Sequence, residues 1–228
     1  MRAVLFSLAG ALFGLTLGQV ARTTRRPGSD EEVVGAPLTR SDPIGWLAMG
    51  SVAVALAFLA TAIGVHPLWK AWFVAPFVGV TVMAGLIDAR YRIIPNRLMY
   101  PTIVAYASGL AVVTAVGKDP DLAAALLGAV GYGGGLLLVA IVAPKGMGMG
   151  DVKLGFLSGL AMGALGARYV LVAAAAAVVF GGVGGVVALA SGRGPKAKIP
   201  FGPFMAAGSL LAILLAPQVS HWYLSGRL

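Results

Sequence analysis

Residues 169–190 read YVLVAAAAAVVFGGVGGVVALA, an unbroken apolar run with neither charge nor proline. A helix needs about 20 such residues to cross the hydrocarbon of a bilayer. Seven further blocks of this kind can be marked outward from it, at about 3–20, 44–65, 71–87, 98–116, 122–143, 152–167 and 201–217. Only 11% of the 228 residues are charged and the mean hydropathy is +0.91, against roughly 25% charged in a soluble domain. Within lipid every backbone N–H and C=O must be satisfied inside its own segment, which favours helices. The chain is therefore expected to be an all-α polytopic membrane helix bundle of about eight transmembrane helices, one membrane domain over 1–228. The sixth block is short and its border with the seventh is soft, so the count lies between seven and nine.

A net charge of +9 and a pI near 10.3 raise the question of nucleic acid. The cations instead occupy short loops between apolar spans, and cationic loops face the cytoplasm. One alternating set of loops holds twelve of the 17 basic residues: Arg22, Arg25, Arg26, Arg40, Arg90, Arg92, Arg97, Lys145, Lys153, Arg193, Lys196 and Lys198. Arg2, Lys70, Lys118, Arg168 and Arg227 make up the other. Both termini are then expected outside, the lipid bilayer is the partner that the charge implies, and no nucleic acid is. Oligomeric state is not legible. No cysteine is present, and the two histidines, His66 and His221, stand far apart. Neither a disulfide framework nor a cysteine zinc site is available, and no cofactor or metal is implied. The first block, preceded by Arg2, lacks a good small-x-small cleavage site and reads as a retained helix rather than a cleaved signal peptide.

Residues 21–43 form the longest polar stretch and read as a short flexible cytoplasmic loop, too poor in apolar residues to fold alone. Glycine clusters at 131–135 (GYGGG) and 181–185 (GGVGG). In a membrane such residues let helix backbones approach, and the clusters are read as packing surfaces with no catalytic role.

The eight acidic residues narrow the chemistry by elimination. Asp30, Glu31, Glu32 and Asp42 lie in the first loop, Asp119 and Asp121 in an outer turn, and all six read as solvated charges. Asp88 ends the third apolar block and Asp151 opens the sixth, on the same face of the membrane. Carboxyl groups are less costly near the interface than at the bilayer centre. Two that converge can share a proton and polarise a water. From position alone, a lone interfacial acid paired with a nearby base such as Arg92 or Lys153 is the more ordinary reading of each.

The neighbouring residues carry more. Gly148-Met149-Gly150-Asp151 has the Gly-x-Gly-Asp pattern of intramembrane aspartic proteases, and with Val152-Lys153 it resembles the bacterial type IV prepilin peptidases. Asp88 begins a segment that reaches Pro95-Asn96, similar to that family's first aspartate motif. Pro200-Phe201-Gly202-Pro203-Phe204 resembles the family segment before the last helix, and residues 14–19 loosely resemble its N-terminal glycine-rich helix end, with Gln19 where Ser is common.

The resemblance implies an aspartic endopeptidase with Asp88 and Asp151 catalytic. Its substrates would be prepilin or pilin-like proteins, cut after a leader glycine at the cytoplasmic face of a bacterial plasma membrane. Gly148, Gly150, Lys153, Pro95, Asn96, Pro200, Phe201, Gly202 and Pro203 would line or support the substrate cleft. The two glycines are expected to adopt unusual dihedrals and admit an extended substrate, and Pro95 to terminate the segment after Asp88. The basic residues are expected to set topology. Asp151 at a helix start is expected to be the more readily ionised acid, and Asp88 at a helix end the protonated one. The family's cysteine-containing region, associated with N-methylation, has no counterpart in residues 21–43, so cleavage without methylation is expected. A proton- or cation-coupled transporter and a catalytically silent pilus or secretion scaffold are the alternatives from other classes. Presenilin-like proteases are disfavoured because Ile87, not Tyr, precedes Asp88.

Overall fold

The computed structural model describes residues 2–22, 43–144, 146–192 and 199–225, with side chains at 4–17, 50–144, 146–192 and 199–216. The expected loop at 23–42, the side chain of Gln19 and the loop cations at 145 and 193–198 lie outside the described residues. The described residues form helical rods: α1 (Arg2–Arg22), α2 (Pro43–Gly64), α3 (Leu68–Tyr91), α4 (Asn96–Ala115), α5 (Leu122–Val142), α6 (Met149–Gly163), α7 (Ala167–Ala190) and α8 (Gly202–Ser225). Each matches one of the apolar blocks of the sequence. Among the described residues α3, α4, α5 and α7 are long and apolar enough to cross a membrane, and 4–17, 50–64 and 202–216 are shorter apolar stretches.

Lipid offers no hydrophobic drive between helices, so close packing holds them together. The middle and C-terminal half of α3 form the core of the bundle, with Phe77, Val78, Met83, Ala84 and Ile87 almost wholly buried. Helices α1, α2, α4, α6 and α8 all pack against α3, whereas α5 pairs with α6, and α7 with α8. Four threonine side chains within the rods are satisfied locally. Thr61, Thr81, Thr102 and Thr114 each donate to the carbonyl four residues back, as apolar surroundings require.

Glycine sets several close seams. Along α5 and α6, a Cβ on Gly128 would lie 2.6 Å from the Gly159 carbonyl oxygen, and Gly133 and Gly163 meet Phe156 and Ala124. Along α1 and α2, a Cβ on Gly10 or Gly14 would lie 2.8 Å or 2.7 Å from the Cα of Ala55 or Ser51. Only part of the two clusters behaves as expected. Gly133 meets Phe156, Gly181 meets Phe201 and Gly184 meets Phe204, while Gly131, Gly134, Gly135 and Gly182 face open space.

Alternation of the rods brings the ends of α1, α3, α5 and α7 to the same side as the starts of α2, α4, α6 and α8. That side carries Asp88, Asp151, Arg90, Arg92, Arg97 and Lys153. At the opposite end Asp121 is not merely a solvated charge. Its Oδ1 accepts from Ala124 N–H at 2.9 Å to cap α5, and its own N–H donates to the Ala164 carbonyl at 3.2 Å.

Candidate active site

Asp88 lies in the last turn of α3, one turn inside the helix end rather than beyond it, and is 6% exposed. The helix stops at Arg92, which adopts a left-handed conformation (φ 56°, ψ 39°) and donates its N–H to the Asp88 carbonyl at 2.8 Å. Pro95 therefore does not end α3. It is buried and starts α4, its carbonyl accepting from Leu98 and Met99 N–H at 3.0 Å and 3.1 Å.

The carboxylate of Asp88 is held from far along the chain. Its Oδ2 accepts from the N–H of Gly202 at 2.9 Å, and Gly202 is the first residue of α8. This contact needs two glycines. A Cβ on Gly202 would lie 3.0 Å from both Cβ and Oδ2 of Asp88. One turn before Asp88, a Cβ on Gly85 would lie 3.1 Å from the Gly202 carbonyl oxygen and 3.2 Å from Pro203 Cα. Gly85 was not singled out in the sequence, although a glycine three residues before a helical aspartate marks the same helix face.

Asp151 sits in the first turn of α6, where its Oδ2 accepts from Gly148 N–H at 3.1 Å. This is the backward-reaching half of a capping box. Its other oxygen, Oδ1, is buried and has no hydrogen-bond partner. The glycines beside it act differently from the expectation. Gly148 has φ −86° and ψ 150°, ordinary extended backbone, and Gly150 is helical. The space of a Cβ on Gly150 is filled by Ile94, whose Cβ would be 2.8 Å away. Gly150 thus admits the loop after α3, not an unusual dihedral.

Asp88 and Asp151 line one cavity of about 190 Å³, together with Arg92, Gly148, Pro200 and Phe201. Arg92, read from sequence as a topology signal, is thus also part of the cavity wall. Lys153 does not turn to Asp151. Its Nζ donates to Asn96 Oδ1 at 2.7 Å and lies 4.5 Å from the centre of the Tyr100 ring. The Asn96–Lys153 bond ties the start of α4 to the start of α6, so it joins the segments that follow the two aspartates. Pro203 belongs to the first turn of α8. The rings of Phe201 and Phe204 stand edge to face at 6.4 Å and pack into α7 at Gly181 and Gly184.

Both carboxylates thus receive an N–H from a helix start, α8 for Asp88 and α6 for Asp151. The helix-end argument therefore does not separate the two acids, because the end of α3 is countered by the start of α8.

Residues 75–186, which carry both aspartates, match the model of the type IV leader peptidase family. Over that segment the chain is similar to the type IV leader peptidase family. Two relatives of the chain are named prepilin leader peptidase/N-methyltransferase. The one from Bacillus subtilis (strain 168) is 29% identical over 149 residues, covering 65% of this chain and 57% of the relative. The one from Aeromonas hydrophila is 28% identical over 182 residues, covering 76% of this chain and 60% of the relative. The chain spans about three-fifths of the length of these curated relatives. No solved structure matches it significantly.

Proposed function

We propose that this protein is a membrane aspartic endopeptidase that removes the leader of prepilin-like proteins, cutting after a glycine at the cytoplasmic face of the plasma membrane. The observation that carries the reading is the convergence of Asp88 and Asp151, from helices far apart in the chain, on one small cavity. The cationic loops at that end favour its facing the cytoplasm, where a basic leader emerges from an apolar segment.

In this mechanism one carboxyl is protonated and the other ionised. The ionised group takes a proton from a water as the water oxygen bonds to the scissile carbonyl carbon. The protonated group gives its proton to the carbonyl oxygen. The tetrahedral intermediate then collapses as the C–N bond breaks: the leaving amine takes the proton held by the first carboxyl, and a hydroxyl of the intermediate returns its proton to the second as the new C=O forms. Arg92, on the cavity wall, supplies positive charge next to the reacting groups. The reading includes cleavage without methyl transfer, supported by the absence of cysteine from the 228 residues and by the short stretch between α1 and α2.

The test is to incubate the purified protein in lipid with a prepilin bearing a basic leader and to read the product by mass spectrometry. A new N-terminus directly after the leader glycine, lost when that glycine is replaced by valine, is the expected result. A cut elsewhere, or an intact prepilin that a known prepilin peptidase cleaves in the same preparation, contradicts the reading.

A further inference from the structure

Helix α5 contains a single π-helical turn, Ala129–Gly133, between two α-helical halves. An isolated π turn places one extra residue in the helix and re-aims the side chains around it, and such turns concentrate at functional sites. The side chain within it that bears a polar group is Tyr132. Its ring is buried, at 8% exposure, and its hydroxyl is buried with no hydrogen-bond partner.

The α5–α6 seam fixes what lies near. Gly133, next in sequence, packs on Phe156, and a Cβ on Gly155 would lie 3.3 Å from Gly133 Cα. Gly155 is one turn along α6 from Asp151. Tyr132 accordingly borders the stretch of the seam that lies one helical turn along α6 from Asp151, and the two groups interact electrostatically. Asp151 in turn has one oxygen, Oδ1, buried without a partner. A donor and an acceptor that both lack partners thus lie near one another in an apolar seam, where leaving either unsatisfied is costly.

We infer that Tyr132 is a positioning residue for Asp151, its hydroxyl donating to Oδ1 through one bridging water while Gly148 N–H holds Oδ2. Asp151 is then fixed at both oxygens, as a group that must hold one orientation during proton transfer requires. The other ionisable groups near it are Asp88 and Arg92 across the cavity; Lys153 is engaged with Asn96. This inference rests on the peptidase reading above.

Tyr106 provides a matched control. It is 6% exposed, its hydroxyl is also buried without a partner, and its ring packs at 4.6 Å and 6.1 Å on Phe73 and Phe77, away from the aspartate cavity. The experiment compares wild type, Tyr132→Phe and Tyr106→Phe in lipid, measuring kcat and KM for prepilin cleavage together with the melting temperature. Tyr132→Phe is expected to lower kcat about tenfold to a hundredfold, the effect of losing one hydrogen bond to a charged group. KM should be unchanged, and Tyr106→Phe should keep the wild-type kcat. A Tyr132→Phe enzyme with wild-type kcat below its unfolding transition overturns the inference, whatever its melting temperature. So does an equal kcat loss in Tyr106→Phe. A wild type that cleaves no prepilin defeats the peptidase reading itself.

Discussion

The two aspartates reach the same cavity by opposite routes. Asp151 is held by a donor three residues away, within one helical turn of its own segment. Asp88 is held by Gly202, 114 residues away, at the start of a different helix. The first arrangement follows from local backbone geometry and forms wherever α6 begins. The second exists only when α3 and α8 are packed, and it depends on glycines at both 85 and 202 to let them close. The Asp151 side of the site is therefore a property of a motif, and the Asp88 side a property of the bundle.

That difference can be broken experimentally, because the two sides should respond unequally to one methyl group. Outside the carboxylates themselves, the largest effect is expected at Gly202. Gly202→Ala places a Cβ 3.0 Å from the Asp88 carboxylate, and a misplacement of about 1 Å at a reacting group can reduce turnover roughly a hundredfold. Gly148→Ala puts its methyl 3.4 Å from Asp151 Oδ2 at an ordinary backbone conformation, so its cleavage rate should stay within a few-fold of wild type. Equal losses in the two variants, measured by initial rates, would remove the distinction between a motif-held and a bundle-held acid.

A second comparison sharpens the role of packing. Gly159→Ala drives a methyl into the Gly128 carbonyl, whereas Gly131→Ala meets nothing within 4 Å. Overpacking of this kind destabilises by about 1–3 kcal/mol. Thermal unfolding in detergent should show a clear drop for Gly159→Ala and none for Gly131→Ala, and similar melting temperatures would show that the α5–α6 seam yields easily.

The smallest effect is expected where the two aspartate segments are tied together at the surface. Lys153→Ala and Asn96→Ala each remove an exposed hydrogen bond, the kind of charge-assisted contact worth about 1 kcal/mol or less. Cleavage should fall only a few-fold in each, and the double variant should be no worse than either single one. Multiplying losses would mean that the two residues act separately.

The sequence was informative about the bundle because lipid imposes a strong length and composition signal. Every apolar block became a rod, and both aspartates could be isolated by eliminating loop acids. What it did not disclose is how side chains meet across the bundle. Gly85 looked like any other glycine in a glycine-rich chain, since only its register against Gly202 and Pro203 gives it a task. Arg92 read as a loop cation because its place on the cavity wall follows from the left-handed turn that ends α3. Lys153 looked like a partner for Asp151 by proximity in sequence, yet it turns toward Asn96 from a helix that the sequence separates widely. Tyr132 was grouped with packing glycines, because a π turn leaves no pattern that periodicity detects.

The central claim is that Asp88 and Asp151 act as one unit. Its most direct test is the rate of prepilin cleavage by Asp88→Asn, Asp151→Asn and the double variant, each confirmed to insert at the wild-type level. Residues of one catalytic unit are grossly non-additive, so either single change should abolish cleavage as completely as both together. A single variant that still cuts, with a further loss in the double, would contradict a shared site and leave the aspartates as independent residues at one end of a membrane bundle.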